Sequence, residues 1–567
     1  MPHLDQVADR VRPANDSPAN NPAAGATMQG DRLERLLLLV CLPAISMLMA
    51  LPWLIESWVW SGWLAIALAL GVNHRLLSRE RQFSRRFGAR SLVYNWTWST
   101  LALAIAFYWS PAALAYSMAS SYKVGLAIAV PILIWDATKL ALPFWLGVRL
   151  APSLQWSWLS VSCLAVLVES YFPGVFAWRL GYLQSEWIWT YQAADLLGPS
   201  LGTVTVFAHG GLLFLLATSL FARLHSKLPG TDTRWMLPRL SHGLVAVILC
   251  CLINLTYSLA VLSSWKRWLQ SAPSTRVALL QVDPTYIDGL GKIQQLTNKI
   301  SKDVDLVFWP ESTAGCYEAN LTDLSTWESV FPSSREPSRG LQPWPTPTCP
   351  LIVGGKTYTG DLEEPDQLFI SALLIDERQQ LVDRYHKRYL MPFGEFVPGA
   401  DVFPSLHELF PMSEDVTASN DAHILCPTPT VRLGVMLCYE DMVPGAVTSL
   451  VKNKANLLVC LINGSAFESA TTLLQHRKLA QFRAVEARRT FLRSAATGET
   501  CIVSPLGVIT ERLPLHVEAA ITAEVPIVDY LTWHCRLPWL LPVVTAFVLV
   551  GLTICKSISY RRSATAG

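Results

Sequence analysis

Three stretches of this 567-residue chain carry residue types that can do covalent chemistry. In the first, from Val431 to Asp441, a loosely alternating apolar run ends abruptly at Cys438, Tyr439, Glu440 and Asp441. A thiol at the end of a core strand, beside carboxylates, is placed as a nucleophile. A lone cysteine on an apolar strand more often serves as a small core residue, so the reading depends on the other two stretches. From Val304 to Ser312, another apolar strand stops at Pro310 and is followed at once by Glu311. From Tyr385 to Pro398, Lys387 and Glu395 sit among aromatics and prolines, in a segment that cannot be helical throughout.

The order Glu311, Lys387, Cys438, each at the edge of a hydrophobic segment, resembles the catalytic order of the nitrilase (carbon-nitrogen hydrolase) superfamily. The surrounding motifs, Trp309-Pro-Glu-Ser-Thr, His386-Lys-Arg through Pro-Phe393-Gly-Glu-Phe-Val-Pro398, and Leu437-Cys-Tyr-Glu, are similar to those of one branch, the bacterial apolipoprotein N-acyltransferases. The resemblance spans about residues 274–525, and its middle motif is long and specific. It implies Cys438 as nucleophile, Glu311 as general base and Lys387 as the cation that lowers the thiol pKa and stabilises an oxyanion. Glu395, Tyr439 and Glu440 are supporting candidates. The Tyr439 N–H is a second oxyanion donor, and the two glutamates position either Lys387 or an incoming amine. His476 reads as structural, and Asp441 as solvated or capping.

Around these motifs the chain is 51% hydrophobic and 16% charged, with 22 Trp, which is too apolar for an ordinary soluble protein. A net charge of +2 gives no electrostatic reason to expect nucleic acid as a partner. Twelve cysteines show no metal-ligand spacing, so no metal site is expected. Cys316, Cys349, Cys426 and Cys501 lie in the more polar half, where they can pair if it faces an oxidising compartment.

Residues 1–30 read as a disordered tail, without a cleavable signal peptide, because apolar sequence starts only near Leu36. A membrane helical domain of seven spans follows over 31–263. Its runs are 36–54, 57–72, 97–118, 124–148, 157–172, 199–222 and 241–263. Asp136 and Lys139 interrupt the fourth run, either facing the bundle interior as a pair or marking an interfacial piece. Residues 264–536 alternate strands with helices and read as the catalytic domain, and 537–567 read as an eighth span with a tail. Long loops at 330–350 and 411–430 are candidate lids. The helix after Asn463-Gly464 is expected from Leu473 to Phe491, with Arg483 and Glu486 pairing.

Eight spans place three basic stretches, 74–90, 223–240 and the C-terminal tail, on one side and the catalytic domain on the other. The expected location is therefore the bacterial inner membrane, with a periplasmic catalytic domain. The loop from Phe172 to Gln184 resembles an aromatic loop of the same family, which makes Trp178 and Tyr182, with Phe393 and Phe467, candidate lipid contacts. The expected fold class is an α-helical membrane bundle joined to a nitrilase-like α-β-β-α sandwich. The resemblance implies transfer of a phospholipid acyl chain, through a cysteine thioester, to the amine of a diacylglyceryl-modified apolipoprotein. No cofactor is required, and a monomer is expected. The alternatives are a membrane-bound amidase, an acyltransferase for another amine, or a plasmid-type paralogue. Asn463-Gly-Ser-Ala-Phe467 departs from the family's usual Asn-Asp-Ala-Trp-Phe, which leaves donor and acceptor choice open.

Overall fold

The computed structural model describes residues 22–82, 88–175, 177–226, 236–283, 289–318, 347–361, 365–378, 380–411, 413–464 and 469–565. Each of the eight apolar runs falls on a helix or helix pair. They are α1 (Pro22–Leu54), α2 (Val59–Gln82), α3 (Ala89–Ala106) with α4 (Ser110–Ser117), α5 (Tyr122–Asp136) with α6 (Thr138–Leu150), α7 (Ser157–Tyr171), α9 (Ser200–His225), α10 (Met236–Leu269) and, at the far end of the chain, α16 (Leu540–Thr565). The short α8 (Ala194–Leu197) lies in the loop before α9. Helix α1 already begins at Pro22, within the stretch expected to be tail, while residues 1–21 lie outside the described residues.

Among the described residues, four helices are long and apolar enough to cross a membrane, and the α3–α4 pair, bent by 71°, would make a fifth. The apolar part of α1, Leu38–Leu54, and the 15-residue α7 are shorter. Helix α2 ends in the polar sequence Arg79-Glu-Arg-Gln82. The count of spans is thus approximate, but the bundle is a membrane bundle. Asp136 and Lys139 settle the alternative posed by the fourth run. Helices α5 and α6 form one 29-residue candidate span, and the two side chains are buried with Nζ and Oδ1 4.0 Å apart. They face the interior, as charges in a bilayer must.

From Ser274 the backbone becomes a two-sheet sandwich. The first sheet contains β1 (Ser274–Gln281), β2 (Leu306–Phe308), β3 (Cys316–Glu318), β4 (Leu351–Gly360), β5 (Pro365–Ile375), β6 (Leu381–His386) and the late strand β13 (Ala519–Pro526). Its order is β13-β1-β2-β4-β5-β6, with β3 beside β4. The second sheet, in order β12-β11-β10-β9-β8-β7, is built from β7 (Ile424–Leu425), β8 (Leu433–Leu437), β9 (Leu457–Ile462), β10 (Phe491–Ala495), β11 (Cys501–Val503) and β12 (Ile509–Arg512).

Alternation in β1 explains the layering. Val277 and Leu279 enter the core shared with the second sheet, whereas Ala278 and Leu280 face the other way. There they meet α11 (Gly289–Ile300), whose Ile293, Leu296 and Ile300 recur at helical spacing. On the outside of the second sheet lie α13 (Pro444–Lys452) and α14 (Ala470–Ala487). These layers make an α-β-β-α arrangement, and the chain also forms the small helices α12 (Leu406–Leu409) and α15 (Trp533–Arg536).

Two sequence expectations change here. The helix expected to reach Phe491 stops at Ala487, where Arg488 turns left-handed at φ 50°, and residues 491–495 become β10. Cys349, Cys426 and Cys501 are free thiols. Most of the 330–350 loop lies outside the described residues, whereas the 411–430 loop contributes β7 to the sheet.

Helix α14 joins the two halves and is buried on nearly every side. Its Gln475 donates to the Ala106 carbonyl (2.8 Å) and accepts from Trp109 Nε1 (3.0 Å), and Lys478 donates to the Pro52 carbonyl (2.8 Å). Arg477 pairs with Glu56 and Glu499. Arg488, just past its end, meets Asp195 (3.0 Å) and Gln192 (2.8 Å). Arg483 pairs with Glu486 at 2.9 Å, as the spacing predicts. The ends of α1 and α3 thus abut the sandwich. Following each helix away from that junction puts the described parts of the basic stretches, at the end of α2, the end of α9 and the end of α16, at the opposite end of the bundle.

Candidate active site

Strand β8 is apolar and wholly buried, and the backbone breaks just past its last residue. Cys438 adopts φ 46°, which ends the extended run and starts the 3-10 turn Cys438–Met442. A left-handed cysteine is strained, and such strain gathers at functional sites. Glu440 holds the turn. Its carboxylate accepts from Leu437 N (2.8 Å), Arg388 N (2.7 Å), Tyr389 N (3.1 Å) and the Tyr385 hydroxyl (2.9 Å). One buried side chain therefore ties the cysteine turn to the lysine loop. Burial is the main influence on Glu440 and pushes its pKa up to about 7, against Lys387 and these hydrogen bonds.

Lys387 follows β6 and is fully buried. Its Nζ donates to Glu311 Oε1 at 3.3 Å and to Glu395 Oε1 at 2.5 Å. Glu395 also accepts from Met391 N at 2.8 Å, so the carboxylate that orients the lysine is itself held by the loop. The two supporting glutamates thus divide the work. Glu395 takes the ammonium, and Glu440 takes the backbone.

Glu311 lies just past β2, and its second oxygen accepts from Asn463 N at 3.1 Å. Gly354 in β4 makes its position possible, because a Cβ there would lie 2.4 Å from Glu311 Cα and 2.5 Å from the Pro310 carbonyl oxygen.

The electrostatics revise one expectation. Burial and then the Glu311 carboxylate push the Cys438 thiol far above its ordinary range, and Lys387 opposes them without winning. Cys438 therefore rests as a thiol, and attack by its sulfur requires a base to take the proton. Burial raises the Glu311 pKa, opposed by Lys387, which suits that role. Burial works against the Lys387 ammonium too, but Glu311 and Glu395 outweigh it and hold the pKa well above the usual lysine value.

Cys438 and Tyr439 open onto a cavity. Met391 and Phe393 line it from the sandwich half, and Trp53, Phe107 and Trp178 from the membrane half. Two lipid-contact candidates, Trp178 and Phe393, therefore reach the space beside the thiol. Tyr182 does not. It is buried against Phe482, with its hydroxyl bonded to Arg483, and holds α14 in place. Phe467 lies outside the described residues.

Sequence reasoning missed the layer beneath. Asp441 is fully buried rather than solvated, pairing with His476 and, at 3.0 Å, with Arg493. The one available signal was Arg493, a charge inside the apolar strand from Phe491 to Ala495.

Fold and site together define a class. Residues 276–534 match the carbon-nitrogen hydrolase family. An amidase of the nitrilase superfamily from Nesterenkonia AN1 is similar over 46% of this chain and 95% of its own length, at 19% identity and a TM-score of 0.33. Among curated proteins, the apolipoprotein N-acyltransferase of Bdellovibrio bacteriovorus is 26% identical over 466 residues, covering 76% of this chain and 79% of that one. That of Geobacter metallireducens is 27% identical over 390 residues, covering 67% and 69%. Residues 276–534 thus carry a carbon-nitrogen hydrolase domain, and over two thirds or more of its length the chain is similar to enzymes named apolipoprotein N-acyltransferase.

Proposed function

We propose that the chain moves an acyl group from a phospholipid to the α-amine of a diacylglyceryl-cysteine at the start of a lipoprotein, with Glu311, Lys387 and Cys438 as its catalytic residues. The observation that carries this reading is the shared wall of the cavity. A thiol set beside a buried Glu–Lys pair faces an apolar space bounded by membrane helices as well as by the sandwich. A soluble amidase would have no use for such a wall, whereas an acyl chain entering from the bilayer is matched by it.

The chemistry follows from the donors present. Glu311 takes the Cys438 proton as sulfur attacks the ester carbonyl. An ammonium has three N–H groups, and two of those on Lys387 already reach Glu311 and Glu395. The third, with the Tyr439 N–H, serves the oxyanion. Collapse breaks the C–O bond, Glu311 returns the proton to the glycerol oxygen, and a lysophospholipid leaves the thioester behind. The lipoprotein amine then attacks, the C–N bond forms, the C–S bond breaks, and Glu311 passes the amine proton to the departing sulfur. The apolar walls keep water from the thioester between the two steps. The sidedness we propose is an inner-membrane protein with a periplasmic sandwich, because the basic stretches gather at the far end of the bundle.

The test is to incubate the purified full-length protein with an acyl-labelled phospholipid and digest it. Mass spectrometry should find the label on the Cys438 peptide, and addition of a diacylglyceryl-cysteine peptide should move it to that peptide's N-terminus. Label released only as free fatty acid would favour the amidase-type alternative. An unlabelled Cys438 peptide, or a Cys438→Ser variant as active as the parent, would reject covalent catalysis.

A further inference from the structure

A second groove, sharing no lining residue with the Cys438 cavity, opens between the end of α7, the start of α9, helix α13 and the start of α16. Its lining includes Arg179, Lys452 and His534 and, among the described residues, no carboxylate. The nearest acid in sequence, Glu169, accepts from Leu180 N (2.7 Å) and Thr203 (2.8 Å) and also lies within electrostatic reach of Arg179. Two helices begin at the groove, α9 at Ser200 and α13 at Pro444, and both turn the positive ends of their dipoles toward it.

The observation that points to a ligand is His534. Its side chain is 5% exposed, and neither ring nitrogen has a hydrogen-bond partner among the described residues. The ring is held against Gly198, where φ is +86° and a Cβ would lie 2.5 Å from the imidazole. A buried polar ring fixed in place without a partner is costly unless something else completes it. Burial, then Arg483, Arg179 and Lys452, push its pKa down to about 3. The ring is therefore neutral and offers one N–H to an acceptor, in surroundings that favour an anion.

Height in the membrane narrows the anion. The groove is flanked by Tyr171, the last residue of α7, and Trp539, the residue before α16, both exposed. Aromatics at the ends of membrane helices mark the headgroup level. We propose that this groove binds the phosphodiester of a membrane phospholipid, with Arg179, Lys452 and the His534 N–H on its oxygens and its acyl chains lying along α7 and α16, apart from the lipid consumed at Cys438. Phosphate oxygens are the shared chemistry, and a free phosphate ion is the competing source.

The experiment uses the full-length protein in detergent with a phosphatidylglycerol carrying a photoreactive headgroup. After irradiation, labelled peptides are mapped by mass spectrometry. Labelling is expected on the segments from Pro444 to Lys452 and from Trp533 to Trp539. Lys452→Glu, a change at an exposed position, should reduce it about tenfold, as loss of a charge-assisted contact and its replacement by repulsion require. His534→Gln should reduce it as well, while the melting temperature and the labelling of the cavity segment from Thr472 to Leu479 stay as they were. Equal groove labelling in the parent and Lys452→Glu would overturn the proposal, and so would label confined to the cavity. Complete competition by excess inorganic phosphate would also overturn it, assigning the groove to the free ion. Failure here leaves the acyl-transfer reading untouched, because that is scored on the Cys438 peptide.

Discussion

Gly354→Ala tests whether close backbone packing, and not the carboxylate alone, lets Glu311 serve as the base proposed above. The new Cβ would lie 2.4 Å from Glu311 Cα and 2.5 Å from the Pro310 carbonyl oxygen, against an ordinary contact of at least 3.4 Å. Neither neighbour is a flexible side-chain end, so backbone must yield. Thr313 N and Ala314 N both donate to the Gly354 carbonyl, at 2.8 and 2.9 Å, and Trp309 N donates to the Ile352 carbonyl at 2.9 Å, so the two segments cannot simply part. The clash therefore moves Glu311 by about 1 Å, a displacement that can lower a rate by roughly 100-fold. Overpacking of this kind costs about 1–3 kcal/mol, which a domain of this size survives. The assay is kcat/KM for acyl transfer, with circular dichroism and a thermal melt to show that the variant folds. Glu311→Gln is the comparator, and the double variant should lose little more than the worse single, because both changes remove one function. A folded Gly354→Ala enzyme within about threefold of the parent would refute the reasoning, since a shifted base cannot keep its geometry.

Lys387→Met leaves the Glu311 and Glu395 carboxylates buried without their shared cation. Activity should fall by roughly 100- to 1,000-fold, and the acylated Cys438 peptide should no longer be trapped. Arg483→Met strands Glu486, whose side chain is 0% exposed, and should destabilise the protein by about 3–5 kcal/mol, read as the midpoint of denaturant unfolding in detergent. Trp178→Ala widens the cavity on its membrane side and should raise KM for the phospholipid about tenfold, with a smaller effect on kcat. His386, bonded to Ser371 at 2.8 Å, has its pKa pushed by burial, with Arg384 and His423, from 6.5 to about 4. The native state then binds fewer protons than the unfolded chain between those values. Its contribution is complete above about 6.5 and is lost as the pH falls toward about 4. His386→Asn should flatten the melting temperature over that range, and an unchanged slope would reject the assignment.

The sequence by itself carried the architecture and singled out the three residues that the structure gathers. Glu311, Lys387 and Cys438 each close a short apolar segment, and a run of adjacent residues is enough to display that. Period-two and helical alternation in β1 and α11, and long apolar stretches elsewhere, separated a sandwich from a bundle for the same reason. The assignment of tasks needed tertiary structure. That Glu395 holds the ammonium while Glu440 ties Leu437 to Arg388 depends on contacts between residues tens of positions apart. The resting protonation of Cys438 depends on how deeply the site is buried, which no local pattern reports. Asp441 looked like a surface acid because its partners, His476 and Arg493, lie on α14 and β10. Strand β10 itself was hidden, because helical spacing runs on smoothly to Phe491 and only the left-handed turn at Arg488 cuts it. The groove at His534 is formed by segments from four parts of the chain, so nothing local marks it. Composition and periodicity are properties of neighbours in sequence, whereas burial, pairing and charge environment are properties of neighbours in space.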